Sequence, residues 1–185
     1  MNLLINFIAF QLGWFATVLG GANNLAWAGT LAAMAVVALH LWRVPGPRNE
    51  LLLVAIVGAI GATWDSALVA LGITYYPSGI LIDNTAPHWI VAMWMLFATT
   101  LNVSMRWMRG RLWLALLSGA IFGPLAFYAG FKLGGVGFPD FWLAMVVLSA
   151  GWAVFMPLLM ALGQKLDGTE GSLRAAPVVR QQKLA

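Results

Sequence analysis

The residue with the clearest capacity for chemistry is Asp65, which lies in the apolar segment GATWDSALVALG at residues 61–72. An ionised carboxylate inside a hydrocarbon layer costs roughly 2.5–3.5 kcal/mol on insertion scales. The cost is avoided if the acid is protonated, or offset if another helix supplies a partner. Asp65 therefore predicts either a proton, cation or substrate site, or a hydrogen bond that only packs helices together. The sequence leaves both interpretations open.

A second group of polar residues lies in the segment 88–105. Thr99, Thr100, Asn102 and Ser104 make its second half the most polar part of any apolar segment in the chain. Lipid would penalise these groups, so they should face other helices. They predict either one wall of a polar cavity or hydrogen bonds between helices, and we favour the second interpretation.

Residues on other segments could satisfy Asp65 if the fold brings them together. Gln11, Tyr128 and Lys132 are the predicted partners, with a bound ligand as a fourth. His88 is a weaker candidate for a general acid or base, because the start of an apolar segment is typical of an interfacial residue. The candidate polar cavity comprises Asp65, Gln11, His88, Thr99, Asn102 and Tyr128.

The basic cluster Arg106, Arg109 and Arg111 is predicted to fix the topology and to contact anionic lipid head groups. Membrane lipids are accordingly the expected partners. The net charge of +4 does not indicate nucleic acid, because the basic residues crowd the ends of apolar segments. The GxxxG pair Gly119 and Gly123 permits a homo-oligomer.

Several functional classes are excluded by the sequence. The chain has no cysteine, which excludes disulfides, thiolate metal sites and cysteine nucleophiles. His40 lies at the end of the second predicted helix and His88 at the start of the fourth. In the predicted topology these positions are on opposite sides of the membrane, so the two histidines cannot share one metal ion. The sequence contains neither an HExxH motif nor a phosphate-binding loop. We therefore predict no metal and no cofactor, and the sequence does not decide whether the protein is an enzyme.

The composition places these residues in a membrane. The 185 residues are 62% hydrophobic and 9% charged, whereas soluble domains average about 45–50% and about 25%. Six apolar segments approach the ~20 residues that a spanning helix needs. They are 4–20, 24–42, 51–73, 88–105, 112–131 and 141–163. We predict an all-α polytopic membrane protein, with a six-helix transmembrane bundle in residues 1–163 and a flexible cytoplasmic tail at 164–185.

The basic residues predict the orientation of the bundle. Of the ten lysines and arginines, all but Lys132 lie in the segments 43–50 and 105–111 or in the tail. Basic residues flanking membrane helices remain in the cytoplasm. We therefore expect both termini to be cytoplasmic, in a bacterial inner membrane.

One face of the third segment and the surroundings of Pro124 in the fifth should be buried in protein. The residues Gly58, Ala62, Asp65, Val69 and Gly72 follow helical spacing. Stripes of small residues mark close helix contacts in membranes, so this face should turn inward. In the fifth segment, Pro124 should free a backbone carbonyl, which is tolerated where other protein groups surround it.

Three stretches together resemble a bacterial membrane family catalogued as Domain of Unknown Function 2878. They are ATWDSALVALGI at 62–73, PHWIVAMWMLFATTLNVSMRWM at 87–108 and GAIFGPLAFYAGFKLGG at 119–135. The resemblance covers residues 50–163 and extends less clearly over the first two segments. It implies a link to membrane lipid modification, because genes of this family neighbour genes that resemble cyclopropane-fatty-acid synthases.

Three functional hypotheses follow. The first is an accessory protein or enzyme of membrane lipid modification. The second is a small proton- or cation-linked transporter that uses Asp65. The third is a membrane scaffold or assembly factor in which the polar residues are structural.

Overall fold

A computed structural model describes residues 2–170 as a bundle of six α-helices. They are α1 (Leu3–Ala22), α2 (Ala26–Arg43), α3 (Pro47–Ala70), α4 (His88–Leu101), α5 (Leu112–Lys132) and α6 (Phe141–Lys165), with a 3₁₀ turn at Arg106–Met108. Within this part of the chain there is no strand, only an isolated β-bridge between Tyr75 and Gly137. Five helices are long and apolar enough to cross a membrane, and α4 is shorter at 14 residues. The chain is thus an all-helical membrane protein.

The shortest helix lies at the centre of the bundle. The helices form the neighbouring pairs α1–α2, α3–α4 and α5–α6, and α4 also packs against α1 and α2. Nine of its 14 residues are buried. The α5–α6 pair is attached more lightly, through contacts of α6 with α3 and α4. Because α4 is surrounded by protein, its polar groups avoid the lipid.

The helices run between two ends, which we name by their residues. The basic end comprises residues 44–46, 102–111 and 166–170, where the Gly46 amide donates to the Gly168 carbonyl at 2.8 Å. The loop end comprises residues 23–25, 71–87 and 133–140, which the Tyr75–Gly137 bridge ties together. Consecutive helices alternate in direction between these ends. The predicted cytoplasmic location of the termini remains a prediction.

Some helix boundaries differ from those expected. α3 begins at Pro47 rather than at 51, because a proline in the first turn is pre-set for helical φ. It ends at Ala70, before Gly72 turns the chain with φ of +67°. α4 ends at Leu101 rather than at 105, because the amides of Val103 and Met105 both donate to the Thr100 carbonyl and close the chain into a turn.

The buried face of α3 differs in part from the predicted stripe. Gly58, Gly61 and Asp65 are buried, and the two glycines lie against side chains of α4. Gly72 is exposed and lies beyond the helix, so the prediction that it shares this face is wrong. The face that does turn inward brings Asp65 against α4.

Close packing of α5 on α6 explains the GxxxG pair. A Cβ atom on Gly119 would collide with the backbone carbonyl of Trp152, and one on Gly123 would collide with its indole ring. This face is therefore filled by the chain itself. The homo-oligomer that the sequence permits remains a prediction. The Ser149 hydroxyl donates to the Ala120 carbonyl at 2.9 Å. That carbonyl is the one that Pro124, without an amide hydrogen, leaves free.

The predicted tail begins within the described residues. α6 continues to Lys165, and residues 167–170 form hydrogen bonds with Glu50 and Arg106. The remainder of the tail, 171–185, lies outside the described residues.

Candidate functional site

Asp65 is fully buried and has two hydrogen-bond donors. The Tyr76 hydroxyl donates to its Oδ1 at 2.7 Å, and the Trp94 indole N–H donates to its Oδ2 at 2.7 Å. Both donors are neutral, and none of the basic residues in 2–170 forms an ion pair with this carboxylate. The partners are therefore not Gln11, Tyr128 or Lys132.

Hydrogen bonding to Asp65 orders an aromatic cluster. The Trp94 ring stacks on the Trp152 ring with centroids 4.9 Å apart and an interplanar angle of 9°. Phe155 packs edge-on against both Trp94 and Trp64. Because Trp152 and Phe155 belong to α6, the carboxylate on α3 orients the side chains that attach the α5–α6 pair to the bundle.

A cavity of about 400 Å³ lies beside this cluster. Its volume falls within the ~300–1,000 Å³ typical of small-molecule sites. The walls are rich in aromatic side chains, which include Phe10, Trp14, Trp89, Trp94, Phe97, Phe127 and Trp152. Its polar lining residues are Asp65, Tyr76, Ser104 and Ser118. We call this space the aromatic cavity.

The aromatic cavity opens sideways between α1 and α5. These two helices do not pack closely on each other, and both contribute walls. Phe7 on α1 is 50% exposed and Phe122 on α5 is 66% exposed, although both line the cavity. The cavity extends from Val136 near the loop end to Met108 at the basic end. The exposed lining residues of α1 and α5 therefore place the mouth of the cavity on the side of the bundle.

Of the six predicted cavity residues, only Asp65 lines the aromatic cavity. Gln11 is half-buried elsewhere on α1. His88 is hydrogen-bonded to Thr30, with Nδ1 2.7 Å from the hydroxyl oxygen, and its ring stacks on Trp27. Tyr128 lies at the surface, with the Lys132 ammonium 5.3 Å from its ring centroid.

Thr99 and Asn102 connect helices without forming a cavity wall. The Thr99 hydroxyl donates to the Leu96 carbonyl of its own helix, while its own carbonyl accepts from the Asn6 side chain on α1 at 3.0 Å. Asn102 belongs to a second polar cluster, at the basic end. Hydrogen bonding between helices was the favoured interpretation for this group. The Asn102 side chain makes such a bond to Glu50 on α3, whereas the Thr99 hydroxyl bonds within its own helix.

The second cluster is centred on Glu50, which is fully buried. Its Oε1 accepts from the Asn102 side chain at 2.7 Å and from the Gly168 amide at 3.0 Å. Its Oε2 lies 2.8 Å from His40 Nε2. Two nitrogen donors and one imidazole nitrogen thus converge on the Glu50 carboxyl group.

Two arginines lie beside this cluster. Arg109 donates to Asn102 Oδ1 at 2.5 Å, and Arg106 Nε donates to the Asn102 carbonyl at 3.1 Å. Both form ion pairs with Asp167 and Glu170. Arg111 is exposed. The head-group contact predicted for these arginines remains a prediction.

Asp167 lies outside the spanning helices, in the segment that follows α6. Its partial burial alone would raise the pKa of its carboxyl. Hydrogen bonds from Thr169 and Arg109, together with the Arg109 charge, outweigh that burial and hold the pKa below its usual range. Asp167 is therefore a stable anion between the two arginines at neutral pH.

Sequence reasoning missed Glu50, Tyr76, Trp94 and Asp167. A signal existed for Glu50, because Pro47 is a typical first residue of a helix and places Glu50 in the first turn of α3. A helix from Pro47 would have set that acid opposite His40, across the short connection from α2. The partners of Asp65 carried no such signal, since a tyrosine and a tryptophan are common in any membrane helix or its flanks.

The fold and the cavity define an all-helical membrane protein with an internal apolar site that opens between two helices. The family model described as protein of unknown function (DUF2878) matches residues 3–158, and the chain belongs to that family. The family prediction from the three sequence stretches is thereby confirmed. The matched region includes Asp65 and the helices that enclose the aromatic cavity, and it ends before Asp167. No curated protein and no solved structure matches the chain.

Proposed function

We propose that this protein binds the hydrocarbon part of a membrane lipid in the aromatic cavity and acts as an accessory protein or enzyme of membrane lipid modification, in a bacterial inner membrane. One observation carries the proposal. A cavity of about 400 Å³ with aromatic walls opens sideways between α1 and α5 and reaches the buried carboxylate of Asp65. A ligand that dissolves in the bilayer can enter such a site without crossing water.

The polar groups in the cavity must supply the selectivity. Lipid chains are as apolar as the cavity walls, so moving a chain from the bilayer into the cavity gains little hydrophobic free energy. Shape and a few placed polar groups distinguish ligands in such sites. Asp65 and Tyr76 are the polar groups at one side of the cavity, and a hydroxyl or amide of the ligand is the chemistry that would pair with them.

Photo-crosslinking tests the binding step. The protein is reconstituted in nanodiscs with a phospholipid that carries a diazirine on its acyl chain, and adducts are mapped by mass spectrometry. Ala126 and Leu125 are adjacent and both exposed, but only Ala126 lines the cavity. Ala126→Trp should deplete adducts inside the cavity, and Leu125→Trp should not. Adducts spread evenly over the outer surface, unaffected by either variant, would contradict the proposal.

A deletion strain tests the role in lipid modification. Fatty-acid and head-group composition should change in the deletion, and Leu125→Trp should restore it while Ala126→Trp should not. An unchanged composition under every stress tried would refute a role in lipid modification, even if the cavity binds lipid.

One observation favours a second candidate, the proton- or cation-linked transporter. Asp65 is buried with two neutral donors and without a cationic partner among residues 2–170. Such an acid can exchange a proton or bind a cation. Flux into proteoliposomes should then be lost in Asp65→Asn. A well-folded Asp65→Asn protein that is as active as the wild type in every assay would instead support the scaffold hypothesis.

A further inference from the structure

Two guanidinium groups converge on one anion at the basic end. Arg106 Nη2 and Arg109 Nη2 lie 2.9 and 2.7 Å from the same oxygen, Oδ2 of Asp167. The same two arginines lie 3.4 and 3.9 Å from Oε1 of Glu170. Both carboxylates belong to the short segment 167–170, which follows α6. This segment places two negative charges between the two arginines.

The arginines are held in place by groups other than that segment. Asn102 accepts from Arg109 through its side chain and from Arg106 through its backbone carbonyl. The Asn102 side chain in turn donates to the buried Glu50. The arginine pair is therefore supported from the interior of the bundle through Asn102, in addition to its contacts with Asp167, Thr169 and Glu170.

We propose that Arg106 and Arg109 form a binding site for a phosphate-type anion, as carried by anionic lipid head groups, and that Asp167 and Glu170 occupy this site as an internal competitor. Paired guanidinium groups bind phosphate with the same forked hydrogen bonds that they donate to carboxylates. The carboxylates of Asp167 and Glu170 thus occupy the position that the phosphate group of the ligand would take.

The ligand can enter without unfolding the segment. Glu170 is 63% exposed at its side chain and its contacts are long, and such exposed ion pairs contribute little. Gly168 is tied to Glu50 and Gly46 by backbone hydrogen bonds that do not involve the arginines. Replacement of the two carboxylates therefore leaves these backbone contacts intact.

The site stands apart from the aromatic cavity, although the same turn contributes to both. Met105, Trp107 and Met108 line the cavity at the basic end. A lipid with its chain in the cavity could place its phosphate near the arginines. Only this idea, that one lipid occupies both sites, rests on the proposed function. Binding of an anionic head group does not require an occupied cavity.

The test measures anionic lipid bound to the full chain. The protein is placed in phosphatidylcholine nanodiscs with increasing phosphatidylglycerol, and bound phosphatidylglycerol is counted by native mass spectrometry. Arg109→Gln should weaken its retention about fivefold, the contribution of one basic residue at an anionic surface. Arg111→Gln removes the same charge from the same turn and should have a clearly smaller effect. Equal effects of the two variants would overturn the site.

A double-mutant cycle tests the internal competitor. Asp167→Asn with Glu170→Gln should increase phosphatidylglycerol retention several-fold in the chain with native arginines. The same pair of substitutions should have no effect when Arg106→Gln and Arg109→Gln are also present. A gain of equal size in both backgrounds would show a general effect of charge and would overturn the proposal. The native-arginine arm remains informative even if the arginine variants fold poorly.

Inorganic phosphate identifies the source of the anion. If millimolar phosphate displaces phosphatidylglycerol from the wild-type protein but not from the Arg109→Gln variant, the site accepts free phosphate as well as head groups. If phosphate does not compete while the double-mutant cycle holds, the site is specific for head groups. Both results support an anion site at this arginine pair.

Discussion

The two buried carboxylates of this protein are stabilised in different ways. Glu50 contacts His40 on α2 and accepts from Asn102 after α4 and from the Gly168 amide, so it joins three parts of the chain. Asp65 receives one donor from the loop before α4 and one from α4 itself. Glu50 is thus completely surrounded by protein partners, whereas Asp65 borders the aromatic cavity. Of the two, Asp65 is the acid that a ligand can reach.

Removal of the Glu50 carboxylate should strongly destabilise the fold. Glu50→Ala removes the contact with His40 and leaves Asn102 and the Gly168 amide without an acceptor, and each buried donor left unsatisfied costs about 1–3 kcal/mol. Glu50→Gln keeps the volume and one acceptor oxygen, so its loss should be smaller. Thermal unfolding in detergent measures both, with the exposed Asn49→Ala as the matched control. An unchanged melting temperature in Glu50→Ala would contradict this network.

The contact made by Asp167 should depend on pH only in the acid range. The groups that face it are Arg106 and Arg109, with Glu170 and Thr169 from its own segment. Because its folded pKa lies below the usual value, its stabilising contribution is fully present above about pH 3.9 and is lost as the pH falls through the folded pKa. The difference in melting temperature between wild type and Asp167→Asn should stay constant from pH 8 to pH 5 and shrink below that window. A difference that vanishes near pH 6 would assign the contact to another group.

The shape of the cavity depends on the contact between α5 and α6. Gly119 and Gly123 let Trp152 lie directly against α5, and Trp152 stacks on Trp94, which Asp65 orients. A chain of contacts therefore leads from the carboxylate on α3 to the glycine face of α5. The α5–α6 pair has few other contacts with the bundle, so this chain sets the position of the cavity wall.

Substitution of glycine by alanine on α5 should have opposite effects at two positions. A Cβ on Gly119 meets the rigid backbone carbonyl of Trp152, and such overpacking costs typically 1–3 kcal/mol. A Cβ on Gly130 meets only Val136 Cγ1, at the ordinary distance of 3.4 Å. At position 130 alanine has the better helix propensity, so Gly130→Ala should raise the free energy of unfolding by up to about 1 kcal/mol. Melting temperatures should therefore fall for Gly119→Ala and hold or rise for Gly130→Ala, and the reverse order would refute this packing.

The hydrogen bond that compensates for Pro124 can be isolated by a double-mutant cycle. Ser149→Ala removes the donor to the Ala120 carbonyl and should cost of order 1 kcal/mol. In a Pro124→Ala background the new amide of residue 124 binds that carbonyl, so Ser149→Ala should cost much less. Unfolding free energies of the four proteins give the coupling, and strictly additive losses would show that Ser149 does not serve the freed carbonyl.

Most of the architecture followed from the sequence, whereas the partners in the sites did not. Hydrophobic length and glycine or proline punctuation placed all six helices, because these signals are local. The end of α4 at Leu101 was missed, since a turn made by backbone amides on Thr100 leaves no mark in the apolar pattern. The donors to Asp65 were missed because they depend on how α3, α4 and the loop before α4 pack, which involves contacts distant along the chain.

Exposed residues at the two ends of the bundle allow the predicted orientation in the membrane to be tested. The basic end and the loop end lie at opposite ends of the helices, because successive helices alternate between them. Asn49 and Asp83 are exposed at these two ends respectively, and the chain has no cysteine of its own. The concentration of basic residues at one end predicts that this end is cytoplasmic. In intact cells an impermeant maleimide should label Asp83→Cys and leave Asn49→Cys unlabelled until the membrane is opened. Labelling of Asn49→Cys alone would show that the orientation is the reverse of the predicted one. The proposed Arg106–Arg109 anion site would then lie at the outer leaflet.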